Sequence, residues 1–345
     1  MGQTSRERVT RCLRFEYPDR LPRDMWVLPW AGTRFPEEIA KISLRYPGDM
    51  GGPAWVNRPS TRAQGDPYVI GESIDEWGCV FTSIQSGVIG EVRNPVLHDL
   101  ADWRTLQPPY ETLPENLGAA RDTVNRSCAE SDTFMRAHCC PRPWERLQFL
   151  RGSVNAMVDV MEQEDDLHHL LKLIHDFSTQ ELEFWVSTDV DAIMFMDDWG
   201  SQLQLLIPPP IWRALFKPLY RDYCDIAHAH GKFVFMHSDG MIAEIYDDLI
   251  EIGVNALNSQ LFCMDMADLR RRAKGRITFW GEIDRQHVLS AADPQEGRAA
   301  VRQVAEALYD PSGGIIAQFE LGPGGNPAVA EAIFDEWELV GQETK

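Results

Sequence analysis

Through the C-terminal two thirds of the chain, short apolar runs are followed by one to three polar residues and then by a stretch with helical spacing. Residues 193–196 precede Asp197-Asp198, 233–236 precede His237-Ser238-Asp239, and 255–257 precede Asn258-Ser259-Gln260. Further on, 277–280 lead into Gly281-Glu282-Ile283-Asp284, and 314–317 into Gln318-Phe319-Glu320. Between these runs, 209–230, 242–252, 265–274 and 294–308 repeat their apolar residues nearer the helical period than in alternation. Strands alternating with helices predict a parallel sheet. Doubly wound sheets and closed barrels share that rhythm. Here no G-x-G-x-x-G or P-loop follows a strand, and chemistry-capable residues recur at one strand end after another. The prediction is a (β/α)8 TIM barrel whose site collects residues from several strand C-termini.

The first third is less regular. Residues 74–93 alternate and turn at Gln85-Ser86-Gly87, which predicts a β-hairpin. Helices are expected over 3–14, 115–130, 143–161 and 164–187, and the Pro- and Gly-rich stretch 47–67 as an ordered loop over the barrel mouth. With no internal repeat, low-complexity tract or linker, 1–345 is expected to be one barrel domain. Its irregular N-terminal extension, within 1–130, carries the first helix, the loop and the hairpin.

Composition narrows the partners. The 345 residues carry 33 Lys+Arg against 53 Asp+Glu, a net charge of −20, which disfavours nucleic acid. The segment MGQTSRERVTRCLRFEYPDR lacks the apolar core of a signal peptide. No stretch approaches the roughly 20 apolar residues of a membrane span. The expectation is a cytoplasmic protein with no membrane partner. Seven cysteines, odd in number and without C-x-x-C spacing, are expected to be reduced core residues. The adjacent Cys139-Cys140 has the alternative of facing a pocket.

The candidate chemistry lies after the apolar runs. His237 and Asp239, two apart, can point into one mouth, although Asp239-Gly240 is also plausible helix-capping sequence. Glu320 closes the run GGIIAQF before a Gly- and Pro-rich loop, and a carboxylate there needs solvent, a cation or a donor. Together His237, Asp239 and Glu320 offer one nitrogen and two carboxylate oxygens, a set able to hold zinc or another divalent ion. Asp197 and Asp198 alternate in direction, so one of them is expected to face the site as a general acid or base. The other reading is a helix cap. Glu282, the first ionisable residue past its strand, is a further catalytic candidate. Asp284 is similar to it, and His287 falls at an expected helix start. Gln202 and Asn258 are expected to contact substrate. Among eleven tryptophans, Trp26 and Trp30 are candidates for an aromatic substrate wall, with ordinary packing as the alternative.

Segments such as TSRERVTRCLRFEYPDRLP, DEWGCVF, PWERLQFLRGSVNAMVDVM, HAHGKFVFMHSDG and ITFWGEIDRQHVL resemble the uroporphyrinogen decarboxylase superfamily over roughly 4–335. That superfamily includes cobalamin-dependent methyltransferases. The resemblance implies a (β/α)8 barrel and a homodimer. True uroporphyrinogen decarboxylases carry W-x-M-R-Q-A-G-R-Y-x-P-E, whose arginines receive the substrate's carboxylates. Here Pro29 and Thr33 stand at the arginine positions, which disfavours an octacarboxylate substrate. The methyltransferases bind zinc through an H-x-C pair and a later cysteine. Here Asp239 replaces the first cysteine, Glu320 is the nearest candidate for the second, and no Cys lies beyond Cys263. Carboxylates make a harder, more Lewis-acidic site, suited to an oxygen substrate such as a methoxy-aromatic. The expected function is methyl transfer from a small O-methylated substrate to a corrinoid. No D-x-H-x-x-G segment is present, so the corrinoid is expected on a partner protein. Decarboxylase or lyase chemistry on a small substrate is the alternative, and a non-catalytic binding barrel is the third.

Overall fold

The computed structural model describes residues 2–343. Its strands are β1 (Arg23–Val27), β2 (Met50–Gly51), β3 (Gly71–Ile74), β4 (Val80–Ser83), β5 (Glu91–Asn94), β6 (Phe134–Met135), β7 (Ala192–Met196), β8 (Phe233–Ser238), β9 (Ala256–Ser259), β10 (Thr278–Trp280) and β11 (Ile315–Leu321). Six of them form one parallel sheet in the order β1-β11-β10-β9-β8-β7, and β2 pairs with β6. Backbone hydrogen bonds close both seams: Asp49 N donates to Arg23 O at 2.9 Å, and Ala137 N to Ala192 O at 2.8 Å. The result is a (β/α)8 barrel, with helices supplying the crossovers that parallel neighbours require. Among the described residues no helix is long and apolar enough to cross a membrane.

The expected hairpin is present as β4–β5, with β3 added to make an antiparallel three-stranded sheet. The helix expected over 143–161 is divided at Gly152 (φ 76°) into Pro143–Arg151 and Ser153–Glu162. The strands β8 and β11 run on through Ser238 and Leu321, beyond their apolar runs. A barrel tolerates polar side chains at its open rim while the ladder continues, so His237 and Glu320 lie on strands rather than after them.

The N-terminal helix Ser5–Arg14 closes the opposite end. It starts on a capping box, Thr4 accepting from Glu7 N while Glu7 accepts from Thr4 N. Its Val9, Cys12 and Leu13 pack with Phe134, Ala192, Phe235, Ala256, Trp280 and Ile316 in an apolar interior layer. Burying each of its Val, Leu, Ile and Phe side chains contributes about 1.5–3 kcal/mol.

Strand parity then dictates what stands above that layer. Two residues beyond Phe235 is His237, and beyond that Asp239. Ala256 leads to Asn258, Trp280 to Glu282, and Ile316 to Gln318 and Glu320. Ala192 leads to Met194, Met196 and Asp198, and Phe134 leads to Arg136 and His138. The apolar floor thus carries a polar rim at the strand C-termini.

Candidate active site

His237 is 7% exposed, and its Nδ1 lies 2.6 Å from Asn258 Oδ1. The Asn258 amide is oriented by its own donors: Nδ2 donates to Trp280 O and, at 2.8 Å, to Gln318 Oε1. Oδ1 is therefore an acceptor, which assigns a proton to His237 Nδ1. Nε2 faces the rim, 3.4 Å from Asp198 Oδ1 and 3.5 Å from Asp239 Oδ1. Burial opposes charge on His237, yet the hydrogen bond and charge of Asp198, with Asp239, lift it to about 10. Burial pushes the Asp198 carboxyl up, and the pairing with His237 outweighs it and holds it below its ordinary value.

Two loops are pressed together to place these carboxylates. Asp239 N donates to Asp198 Oδ1 at 2.9 Å, and Gly200 N to Asp239 O at 3.0 Å. Gly240 sits at φ 79°, and a Cβ on it would lie 2.1 Å from Gly200 O. Only bare backbone fits between the loops after β7 and β8.

Donor atoms of Asp198, His237 and Asp239 all lie within 4.8 Å of one another. Asp239 Oδ1 is buried with no hydrogen-bond partner. One imidazole nitrogen and two carboxylate oxygens suit a divalent ion with positions left open. The Asn258 contact is the outer hydrogen bond that a metal-bound histidine ordinarily makes. These three residues fit a metal.

Glu320, expected to complete the metal set, meets a different cation. Its Oε1 accepts from Arg285 Nη1 at 2.8 Å, while Arg285 Nη2 pairs with Asp239 Oδ2. The guanidinium joins Asp239 to Glu320, so the structure brings His237 and Asp239 together with Asp198 and ties Glu320 to Arg285. Glu282 Oε1 is 3.9 Å from the same guanidinium. Burial works against the Arg285 charge, but Glu282, Asp239 and Glu320 hold it more firmly charged than usual. Glu282 is 2% exposed, and neither carboxyl oxygen has a hydrogen-bond partner. Burial pushes it up to about 8, against the opposing pull of Arg285. It therefore carries a proton at neutral pH.

Parity separates the two neighbouring aspartates. Asp198 belongs to the inward series; Asp197 points outward and is fully buried. Asp197 accepts from Trp144 N at 2.8 Å, Glu145 N at 2.7 Å and Tyr220 Oη at 2.6 Å. It caps the helix Pro143–Arg151 behind the barrel wall, away from the rim.

Of the substrate candidates, Trp26 packs against His237 with ring centroids 5.4 Å apart and lines a cavity of about 340 Å³. Trp30 lies outside that cavity, with Arg34 stacked 4.2 Å over its ring. Asn258 spends its donors and acceptor inside the protein, so it positions His237. Gln202 is exposed, beside Gln286, on a second cavity of about 260 Å³ that also borders Cys263, Asp284, Arg285 and His287. His287 and Asp284 pair at its edge at 2.9 Å. Cys139 is buried, and the Cys140 thiol lies 3.5 Å from Arg142.

Three residues escaped the sequence reading: Arg285, Arg136 and Glu145. Arg285 follows Glu282 by three positions in an already notable segment, and a rim of clustered carboxylates requires a cation nearby. Arg136 directly follows a two-residue strand, too short to show a pattern. Glu145 Oε2 is buried with no hydrogen bond, 3.7 Å from Arg142 Nη1, and burial lifts its carboxyl to about 7 although Arg142 opposes it.

Residues 75–335 match the sequence model of the family described as uroporphyrinogen decarboxylase (URO-D). The chain belongs to the uroporphyrinogen decarboxylase family. It is an enzyme of that superfamily, and its expected barrel is the one observed. A curated relative from Thioalkalivibrio sulfidiphilus (strain HL-EbGR7), named uroporphyrinogen decarboxylase, is 27% identical over 186 residues, 51% of this chain and 50% of that protein. The match thus spans half the length of that relative. A solved methyltransferase from Methanosarcina mazei has the same fold, with a TM-score of 0.68 and 14% identity over 98% of this chain and 99% of that one.

Proposed function

We propose that this member of the family is a demethylating methyltransferase. It moves a methyl group from a small O-methylated substrate to a corrinoid on a separate protein, with a divalent ion such as zinc held by Asp198, His237 and Asp239. The supporting observation is the three-residue donor set with His237 Nδ1 pinned by Asn258 and Asp239 Oδ1 left without a hydrogen bond. When bound, the ion would supply Lewis acidity at the substrate's ether oxygen. In the transfer the carbon–oxygen bond breaks and oxygen keeps the electron pair. That oxygen then needs a proton, and Glu282 holds one at neutral pH beside the site. Arg285 neutralises Glu320 and one face of Asp239, leaving the other face free to bind.

The test measures metal by elemental analysis in wild type and His237→Ala. It then incubates each with methoxy-aromatics and reduced cobalamin as acceptor, following loss of the reduced-corrinoid absorbance and appearance of the phenol. Metal near one equivalent per wild-type chain, absent from the variant, with matching turnover, supports the reading. Negligible metal in both proteins would overturn it.

Decarboxylation is the second reading, favoured by the neutral Glu282, which suits protonation of a carbanion. It is distinguished by carbon dioxide release without any methyl acceptor.

A further inference from the structure

The parity that lifts His237 above the apolar layer also sends Arg136 into the mouth. Arg136 lines the cavity of about 340 Å³ together with Trp26, His138, Met194 and Met196. Its guanidinium lies over the Trp280 ring, 4.8 Å from the centroid, but makes no short hydrogen bond to an oxygen. The nearest carboxylate oxygen, Asp24 Oδ2, is 3.7 Å from Nη2 and already accepts from the indole N–H groups of Trp26 and Trp280 at 3.0 Å each. Nη1 reaches only Met194 Sδ, at 3.8 Å, and Nε is buried with no partner. More deeply buried arginines are engaged, by contrast: Arg8 donates to Asp49 at 2.7 Å and Arg151 to Asp159 at 2.6 Å. A guanidinium presents five donors in a planar fork, and one with no oxygen acceptor at hydrogen-bond distance favours a ligand that supplies them.

Of the remaining walls, His138 is tied to Pro53 O at 2.7 Å and Gly51 and Gly52 present backbone, while the Trp26 ring and the thioethers of Met194 and Met196 are flat or soft and apolar. The volume lies near the lower end of small-molecule sites, roughly 300–1,000 Å³. It admits one substituted ring.

We propose that this cavity binds a small aromatic carboxylate. Arg136 takes the carboxylate bidentately, and Trp26 with the two methionines packs on the ring. Trp26 also packs against His237, and Met196 precedes Asp198 by two positions in the inward series, so the cavity borders the Asp198–His237–Asp239 group. The inference deepens the methyl-transfer reading and rests on it only for the identity of the presented group, a methoxyl.

The experiment compares 4-methoxybenzoate with 4-methoxybenzamide, equal in shape and lacking the charge. Each is titrated into the full-length protein by calorimetry and tryptophan fluorescence at fixed ionic strength, before and after chelator treatment. The acid is expected to bind about tenfold to a hundredfold tighter than the amide, with the preference unchanged by chelation, because the charged hydrogen bonds come from Arg136. In Arg136→Leu, shown folded by circular dichroism, the preference is expected to fall to within about twofold. Equal affinity for acid and amide in wild type overturns the inference without any variant. So does a preference that chelation abolishes or that survives in folded Arg136→Leu. Failure of the two readings is distinguishable: tight acid binding without demethylation keeps the inference and removes the methyl-transfer reading, whereas equal demethylation of 4-methoxybenzoate and neutral 4-methoxytoluene does the reverse.

Discussion

Two of the rim's cations are set among clustered carboxylates, and they share one: Asp239 offers Oδ1 to His237 and Oδ2 to Arg285. On the β7–β9 side, His237 meets Asp198 and Asp239 at 3.4 and 3.5 Å, longer than a good hydrogen bond. On the β10–β11 side, Arg285 closes directly on Asp239 and Glu320. Arginine is always charged, so its carboxylates are satisfied permanently and nothing needs to bind. Histidine can give up its proton, so the same carboxylates can exchange a proton for an ion. Like ingredients therefore build a fixed strut on one side and an adaptable site on the other.

The largest expected effect removes the adaptable cation. On the proposed metal reading, His237→Ala should abolish metal binding and lose at least about a thousandfold in activity, roughly 4 kcal/mol of barrier, in steady-state assays alongside elemental analysis. Activity that persists at wild-type level would erase the distinction between the two sides.

Next comes the strut. Arg285→Met strips the shared cation from Glu320, Asp239 and Glu282, and should lower stability by about 3 kcal/mol in urea unfolding. Metal content should change far less than in His237→Ala. Asn258→Leu sharpens the contrast from behind, since it frees the imidazole to rotate. Metal affinity should fall about 10- to 100-fold, read by chelator competition, with the Arg285 side untouched.

Glu282 links the sides through pH. Its carboxyl lies near 8 in the folded chain, above its ordinary value of 4.5. The stability it contributes is therefore full below about 4.5 and lost as pH rises through about 8. Activity that uses its proton should fall on the same alkaline limb, by about tenfold for each unit above the transition. In Glu282→Gln the pH dependence of stability over that window should flatten, and the alkaline limb of the rate profile should vanish. The smallest effect belongs to Asp197→Asn, which weakens a helix cap and should cost about 1 kcal/mol, leaving metal content unchanged.

Much of this site was legible residue by residue. The apolar runs marked β7 to β11, and the polar residues following them were His237, Asp239, Asn258, Glu282 and Glu320, all of which stand at the rim. Alternation meant that only one of Asp197 and Asp198 would face inward. Strands β2 and β6 escaped notice because two residues carry no period, and Arg136 escaped with them. The partner of Glu320 was hidden for a different reason: Arg285 lies 35 positions away, and charge pairing across a barrel leaves no local trace.

What the chain determined by itself is the order of its elements, the residue types at each strand end, and the two-residue parity that sorts inward from outward side chains, because these follow from local backbone geometry. Whether Asp198 or Glu320 stands beside His237 was decided only when the strands closed. Strand tilt and stagger set which rim positions meet, and those are properties of the whole ring.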